Sequence, residues 1–357
     1  MPHVPLQKKK KKNTTLCEIK IIRYICIYLF AQQKKKNLEL MPVIDYVELN
    51  KTMAGMKLKD PMVSEDEINK KLKEFKKFDA VQDCSDHHYK ERKHGILDTL
   101  FRKFKKIDVG RSSEAKVVTT ISTDWSKKIH KEWQILQKNL PDSIYVRVYE
   151  DRMELMRAAI VGQPGTPYHD GLFFFDIHFP QEYPKQPPNV HYHSRGLRLN
   201  PNLYSSGMVC LSLLNTWTGS GTEKWQPETS TMLQVLVSLQ ALVLNAKPYF
   251  NEPGYSRWAN TRDGELKSLA YNDDKFILSL KTMQYTLRSP PKHFEDLVAM
   301  HFRGRRHAIL SACQAYINGS LVGHPDKQSA RDVSGLFKRE LSRQQKLLVE
   351  CIDKFLK

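Results

Sequence analysis

The chain has 357 residues, 40% of them hydrophobic, which is enough for a sizeable core and excludes a wholly disordered polymer. Its formal charge of +18 has the sign of a nucleic-acid binder, yet residues 1–120 carry 27 Lys+Arg against 16 Asp+Glu, residues 256–357 carry 18 against 11, and residues 121–255 carry 12 against 12. The basicity belongs to the flanks, so no nucleic-acid partner is expected for the middle of the chain. Six cysteines (Cys17, Cys26, Cys84, Cys210, Cys313, Cys351) show no paired spacing. That pattern argues against a zinc site or a disulfide framework and fits a reducing compartment, cytoplasm or nucleus.

Near the N-terminus the apolar run Ile19 to Ala31 is interrupted by Lys20 and Arg23 and is shorter than the roughly 20 residues a spanning helix needs. Lysine runs at Lys8 to Lys12 and Lys34 to Lys36 flank it, so a basic peripheral membrane anchor stands beside the simpler reading of a tail. Residues 51–110 alternate lysine-rich and acidic patches and read as linker with short helical pieces. Within them, Phe75 to Tyr89 combines aromatics with Cys84, His87 and His88, an incomplete metal set that reads better as a docking segment. The expected organisation is a basic, largely disordered extension over 1–120 with a docking patch at 75–89, a core over 121–285 and a helical extension over 286–357.

Order is expected from Asp124, a candidate N-cap, after which Trp125, Ile129, Trp133, Leu136 and Leu140 recur at helical spacing. Lys127, Lys128, Lys131 and Lys138 fall on its other faces. Strand-like runs follow at Ile144 to Tyr149, Leu155 to Val161, Leu172 to Phe179 and Asn189 to His193, and His191 and His193 share a face of the last. An irregular stretch after Asn200 leads to an apolar segment, Met232 to Leu244, that is long enough for a buried helix. Further helices are predicted over 276–285, 294–319 and 336–355. A helix, an antiparallel meander, an irregular loop and then more helices define an α+β class.

The loop Asn200-Pro-Asn202-Leu-Tyr-Ser-Ser-Gly207-Met-Val-Cys210-Leu-Ser-Leu-Leu214 places a carboxamide eight residues before a cysteine. A lone cysteine is more often a small buried hydrophobe than a nucleophile. Here Tyr183-Pro-Lys-Gln-Pro-Pro188 precedes the loop and Trp225-Gln-Pro227 follows it. In that order the motifs resemble the active-site region of ubiquitin-conjugating enzymes over about residues 124–255. Asn-Pro-Asn in place of His-Pro-Asn, Cys-Leu-Ser-Leu-Leu, and Lys247-Pro-Tyr-Phe-Asn-Glu-Pro-Gly-Tyr255 are similar to a branch of large enzymes that includes the hybrid conjugase-ligases and plant enzymes of phosphate homeostasis. Thr282 to Pro291 with His293-Phe-Glu295 resembles that branch's C-terminal extension, and the Phe75 to Tyr89 patch resembles a plant subgroup.

The resemblance implies the ubiquitin-conjugating fold, with four antiparallel strands between an N-terminal helix and C-terminal helices. It implies that Cys210 carries ubiquitin as a thioester, received from an activating enzyme that consumes the ATP, so that no cofactor is bound by the chain itself. It implies transfer to lysines of protein substrates, with or without a separate ligase. Attack on a thioester builds negative charge on oxygen, for which the Asn202 amide is the candidate donor, with a loop-bracing role as the plainer alternative. Glu252 matches the acidic residue that orients the incoming lysine, and Lys127, Lys128 and Lys131 lie on the helix that contacts the activating enzyme. Asn200 stands at a position usually held by a structural histidine, and Lys185 at that of a ligase-contacting aromatic. The insertion Asn215 to Lys224 reads as a lid or as a tolerated surface loop. Three other readings are an inert ubiquitin-binding variant of the fold, a cysteine hydrolase pairing Cys210 with His191 or His193, and a nucleic-acid binder using the basic tails.

Overall fold

The computed structural model describes residues 74–91 and 113–355, apart from 218, 220, 328, 330 and 331. The apolar run at 19–31, its lysine flanks and most of the proposed linker lie outside these residues. Helix α1 (Ser113–Asn139) precedes strands β2 (Ile144–Tyr149), β3 (Arg152–Val161), β4 (Leu172–His178) and β5 (Asn189–Tyr192), the expected antiparallel meander. Asp124 is not its N-cap: the helix opens at Ser113, and Asp124 sits within it, 3.4 Å from Lys127 Nζ. Ile129, Leu136 and the flanking Leu140 bury one face, at roughly 1.5–3 kcal/mol per large side chain, while Lys127 and Lys131 stay exposed and Lys128 is half-buried.

The sheet has a fifth strand that local periodicity did not announce. β1 (Phe78–Val81) runs parallel to β2, with Phe78 opposite Val146 and Val81 opposite Tyr149. The expected docking patch is thus an edge strand and its continuation, and the linker reading of that part of 51–110 is corrected. Four residues are too few to show a period, and the pairing that orders them is non-local.

Side chains alternate strictly across the sheet. Val146, Val148, Met156, Ala158, Ile160, Phe173, Phe175 and Ile177 point into a core shared with α1 and with α2 (Met232–Ser238). The buried segment expected over 232–244 is divided: α2, with a Thr231/Gln234 capping box, passes into a π-helical turn at Leu239–Val243.

The opposite face is covered as well. Tyr145, Ala159, Leu172 and Phe174 pack against α3 (Arg262–Arg288), α4 (Glu295–Ile317) and α5 (Gly335–Phe355), whose apolar faces meet in a second core. The boundary expected at 285/286 falls inside α3. Its polar first half is capped by Thr261, and the close approach of Gly264 to the Trp258 carbonyl leaves no room for a side chain.

The other end of that face is charged and buried. Arg157 forks onto Asp176, with Nε–Oδ1 at 2.6 Å, and onto both oxygens of Asp86 at 2.8 Å. Asp176 also receives the His88 amide and the His193 ring, and the His88 ring stacks on His191 with centroids 3.4 Å apart. Burial opposes the charge on Asp176, but His193 and Arg157 hold its carboxyl well below the usual carboxylate range. Burial, with His88 and His193 close by, pushes His191 down to about 4, and burial also lowers His87, whose Nε2 meets the Met156 carbonyl.

His191 and His87 are held neutral near neutral pH in the folded chain, so an unfolded chain binds their protons first as pH falls below the ordinary histidine value of 6.5. Stability is therefore fully present above pH 6.5 and declines toward the folded value of about 4. The urea midpoint, followed by circular dichroism, is expected to fall across that window, and His191→Gln to flatten the decline.

Candidate active site

Leu203 and Val209 pair as the limbs of a small hairpin, and Tyr204 and Gly207 close its turn through the Gly207 amide and the Tyr204 carbonyl at 3.0 Å. Gly207 has φ +89, and an added Cβ would lie 2.0 Å from the His191 ring, so both backbone and space demand glycine. Leu203, Val209 and Leu211 anchor the hairpin in the first core. Cys210 follows on the return limb, 3% exposed.

Two asparagines fix that limb. Asn202 is bonded to Cys210 twice: its carbonyl accepts the Cys210 amide and its Nδ2 donates to the Cys210 carbonyl, both at 2.9 Å. The Asn202 Oδ1 is buried without a hydrogen-bond partner. Asn200 Oδ1 accepts the Asn202 amide at 2.8 Å, and its Nδ2 donates to the Tyr168 hydroxyl at 2.8 Å and the Val243 carbonyl at 2.7 Å. The loop-bracing alternative for Asn202 is thus present in the geometry.

Around the sulfur, burial pushes the thiol up from its ordinary value, and a hydrogen bond from Tyr204 and the charge of Arg198 oppose that rise. Neither His191 nor His193 takes part: one stacks on His88 and the other pairs with Asp176 at 3.0 Å. Those pairings remove the support for a cysteine hydrolase. Arg198 was not singled out by the sequence. Its guanidinium lies 4.8 Å over the Tyr204 ring, and Nη2 is 3.8 Å from Glu252 Oε2.

Glu252 caps a 3-10 turn, Pro248–Asn251, on the facing wall. Asn251 Nδ2 donates to the Leu242 and Val243 carbonyls at 3.2 Å, and Asn245 bonds Asn251 at 2.7 Å. One side of α3 supports both walls: Asn272 bonds the Ala246 carbonyl at 2.9 Å, and the nearly buried Lys275 bonds the Arg198 carbonyl at 3.3 Å. The insertion after the nucleophile folds back rather than standing free. Thr216 Oγ1 accepts the Leu211 amide and donates to the Val209 carbonyl, and Gly219 lies against Ser212.

The flanking motifs form a single joint. Trp225 Nε1 donates to the Pro184 carbonyl at 2.6 Å, and the Tyr183 hydroxyl donates to Glu132, whose other oxygen accepts the Met232 amide at the start of α2. Burial raises the Glu132 carboxyl above its ordinary value, against those two bonds. Lys127, Lys128 and Lys131 lie on α1 and take no part in the cleft.

The structure is an α+β fold in which an amphipathic first helix and a meander precede a cysteine held in a backbone-braced loop. The family model for ubiquitin-conjugating enzyme matches residues 128–265. From Arabidopsis thaliana, "Probable ubiquitin-conjugating enzyme E2 25" is 56% identical over 250 residues, covering 70% of this chain and 37% of the relative. "Putative ubiquitin-conjugating enzyme E2 38" is 52% identical over 269 residues, covering 74% of this chain and 76% of the relative. The human "Dual E2 ubiquitin-conjugating enzyme/E3 ubiquitin-protein ligase BIRC6" is 41% identical over 217 residues, covering 58% of this chain and 4% of that protein. The chain belongs to the ubiquitin-conjugating enzyme family, in keeping with the large-enzyme branch. It spans well under half the length of the first of these relatives.

Asn202→Ala is expected to leave the Cys210 carbonyl unpaired and to cost about 1–3 kcal/mol of stability, the usual penalty for an orphaned buried polar group. Urea unfolding of the purified variant, still folded by circular dichroism, measures it.

Proposed function

We propose that the chain accepts ubiquitin from an activating enzyme as a thioester on Cys210 and transfers it to lysines of protein substrates. The observation that carries this reading is the double tie of Asn202 to the Cys210 backbone, at 2.9 Å each, which holds the cysteine on a fixed limb. Burial raises the resting thiol, so its attack on the activating enzyme's thioester requires that the sulfur's proton be removed as it engages. ATP is spent by that enzyme. The Asn202 Nδ2 carries a second hydrogen beyond the one given to Cys210, and this is the candidate donor to the oxyanion. The basic face formed by Lys127, Lys128 and Lys131 is the candidate surface for the activating enzyme.

The inert-variant reading finds no support, since the cysteine is present and the relatives are named as conjugating enzymes. Transfer without a separate ligase is favoured by exposed Lys185, a charge where an apolar anchor would dominate binding. The free thiols of Cys84, Cys210, Cys313 and Cys351 support a cytoplasmic or nuclear location.

Incubation with activating enzyme, ATP and ubiquitin tests the reading. The chain should form an adduct that reducing agent removes, and Cys210→Ser should lose it or retain only a slow ester that alkali cleaves. A reducible adduct on the serine variant would place the nucleophile at another cysteine.

A further inference from the structure

The mouth of the cleft pairs opposite charges that stand on its two walls. Arg198 precedes the nucleophile hairpin and Glu252 ends the facing 3-10 turn, and their side chains are 53% and 38% exposed. The same guanidinium covers the Tyr204 ring, whose hydroxyl reaches the Cys210 sulfur. The Arg198 backbone is also fixed, because the Lys275 Nζ of α3 bonds its carbonyl at 3.3 Å and lies 4.7 Å over the Tyr271 ring. One side chain thus touches the support of the nucleophile and the carboxylate offered to the acceptor.

Transfer to a lysine requires the neutral amine, while a free lysine side chain titrates near 10.4 and is almost wholly an ammonium at neutral pH. An unpaired carboxylate at the cleft mouth would favour that ammonium and hold the acceptor in its unreactive form. A guanidinium beside the carboxylate cancels the attraction and repels a second cation.

Building on the thioester reading above, we propose that Arg198 is a positioning residue of the transfer step: it bridges Tyr204 and Glu252, so that the acceptor lysine meets a carboxylate already paired and is favoured as the neutral amine. The lysine ammonium gives one proton to solvent. The amine lone pair then attacks the thioester carbonyl, the C–N bond forms and the C–S bond breaks. Cys210 departs as thiolate and regains a proton as the nitrogen loses its second, so the step balances without an oxidant or further reactant.

The test is single-turnover discharge of the full chain, charged on Cys210, to free lysine and separately to hydroxylamine, an amine already neutral at pH 7. Arg198→Gln should lower the ratio of the lysine rate to the hydroxylamine rate by about tenfold at pH 7.5 and move the rise of the lysine profile up by about one pH unit, the effect of one unit in the acceptor's ionisation. Arg198→Lys, which keeps the charge, should restore most of that ratio. In a Glu252→Gln background Arg198→Gln should move the ratio much less, because no carboxylate is left to pair and only the direct repulsion of the ammonium remains. Equal losses on both amines would make Arg198 a brace for the Tyr204 turn and overturn the proposal, as would an unchanged ratio or an effect that is undiminished without Glu252. Charging is scored before any amine is added, so a chain that forms no Cys210-dependent thioester would overturn the underlying reading at that earlier stage.

Discussion

Both walls of the cleft hang from the carbonyl of Val243. The π-helical turn that follows α2 ends there, and a helix terminus leaves its last carbonyls without intrahelical donors. Asn200 Nδ2 takes the Val243 carbonyl from the nucleophile side at 2.7 Å, and Asn251 Nδ2 takes it from the acceptor side at 3.2 Å. From Asn200 the constraint passes through the Asn202 amide to the backbone of Cys210, and from Asn251 through the 3-10 turn to Glu252. A buried carbonyl that must be satisfied thus ties the segment that carries Cys210 to the segment that carries Glu252.

The second organising feature is a sheet buried on both faces. One face meets α1 and α2, and the other is shared between the C-terminal helices and the segment after β1. The two coverings are joined to each other. Lys292 bonds Asp86 through its amide and Asp83 through its Nζ, and the His293 ring meets the Asp83 carbonyl at 2.6 Å. Two blocks far apart in sequence therefore act as one clasp over the sheet. The clasp reaches the chemistry through the His88–His191 stack, since the His191 ring fills the space above Gly207 in the nucleophile hairpin.

The motifs of the nucleophile loop were legible because their spacing is fixed by a short-range device, a hairpin closed by Gly207 with Asn202 bonded eight residues on. The meander was legible as β-rich runs between turn signals, because strands buried on both faces are apolar along most of their length. Features that rest on distant partners were not legible. Phe78–Val81 becomes a strand only because β2 offers an edge, Asp124 is passed over as a cap because the helix continues N-terminally, and the polar first half of α3 is helical because it braces the cleft. Arg198 lies in an irregular stretch with no local pattern, and its meaning comes from Tyr204 and Glu252. Tertiary context supplied what periodicity could not.

The central claim is that the Asn200 side chain transmits the helix-end constraint to Cys210. Residue-resolved amide hydrogen exchange on Asn200→Ala tests it most directly, since the Asn202 amide loses its acceptor and the Cys210 amide depends on Asn202 in turn. The account predicts that exchange at Asn202 and Cys210 accelerates together while the amides paired between β3 and β4 keep their protection. Undiminished protection at Cys210 in a variant that has lost it at Asn202 would contradict the account.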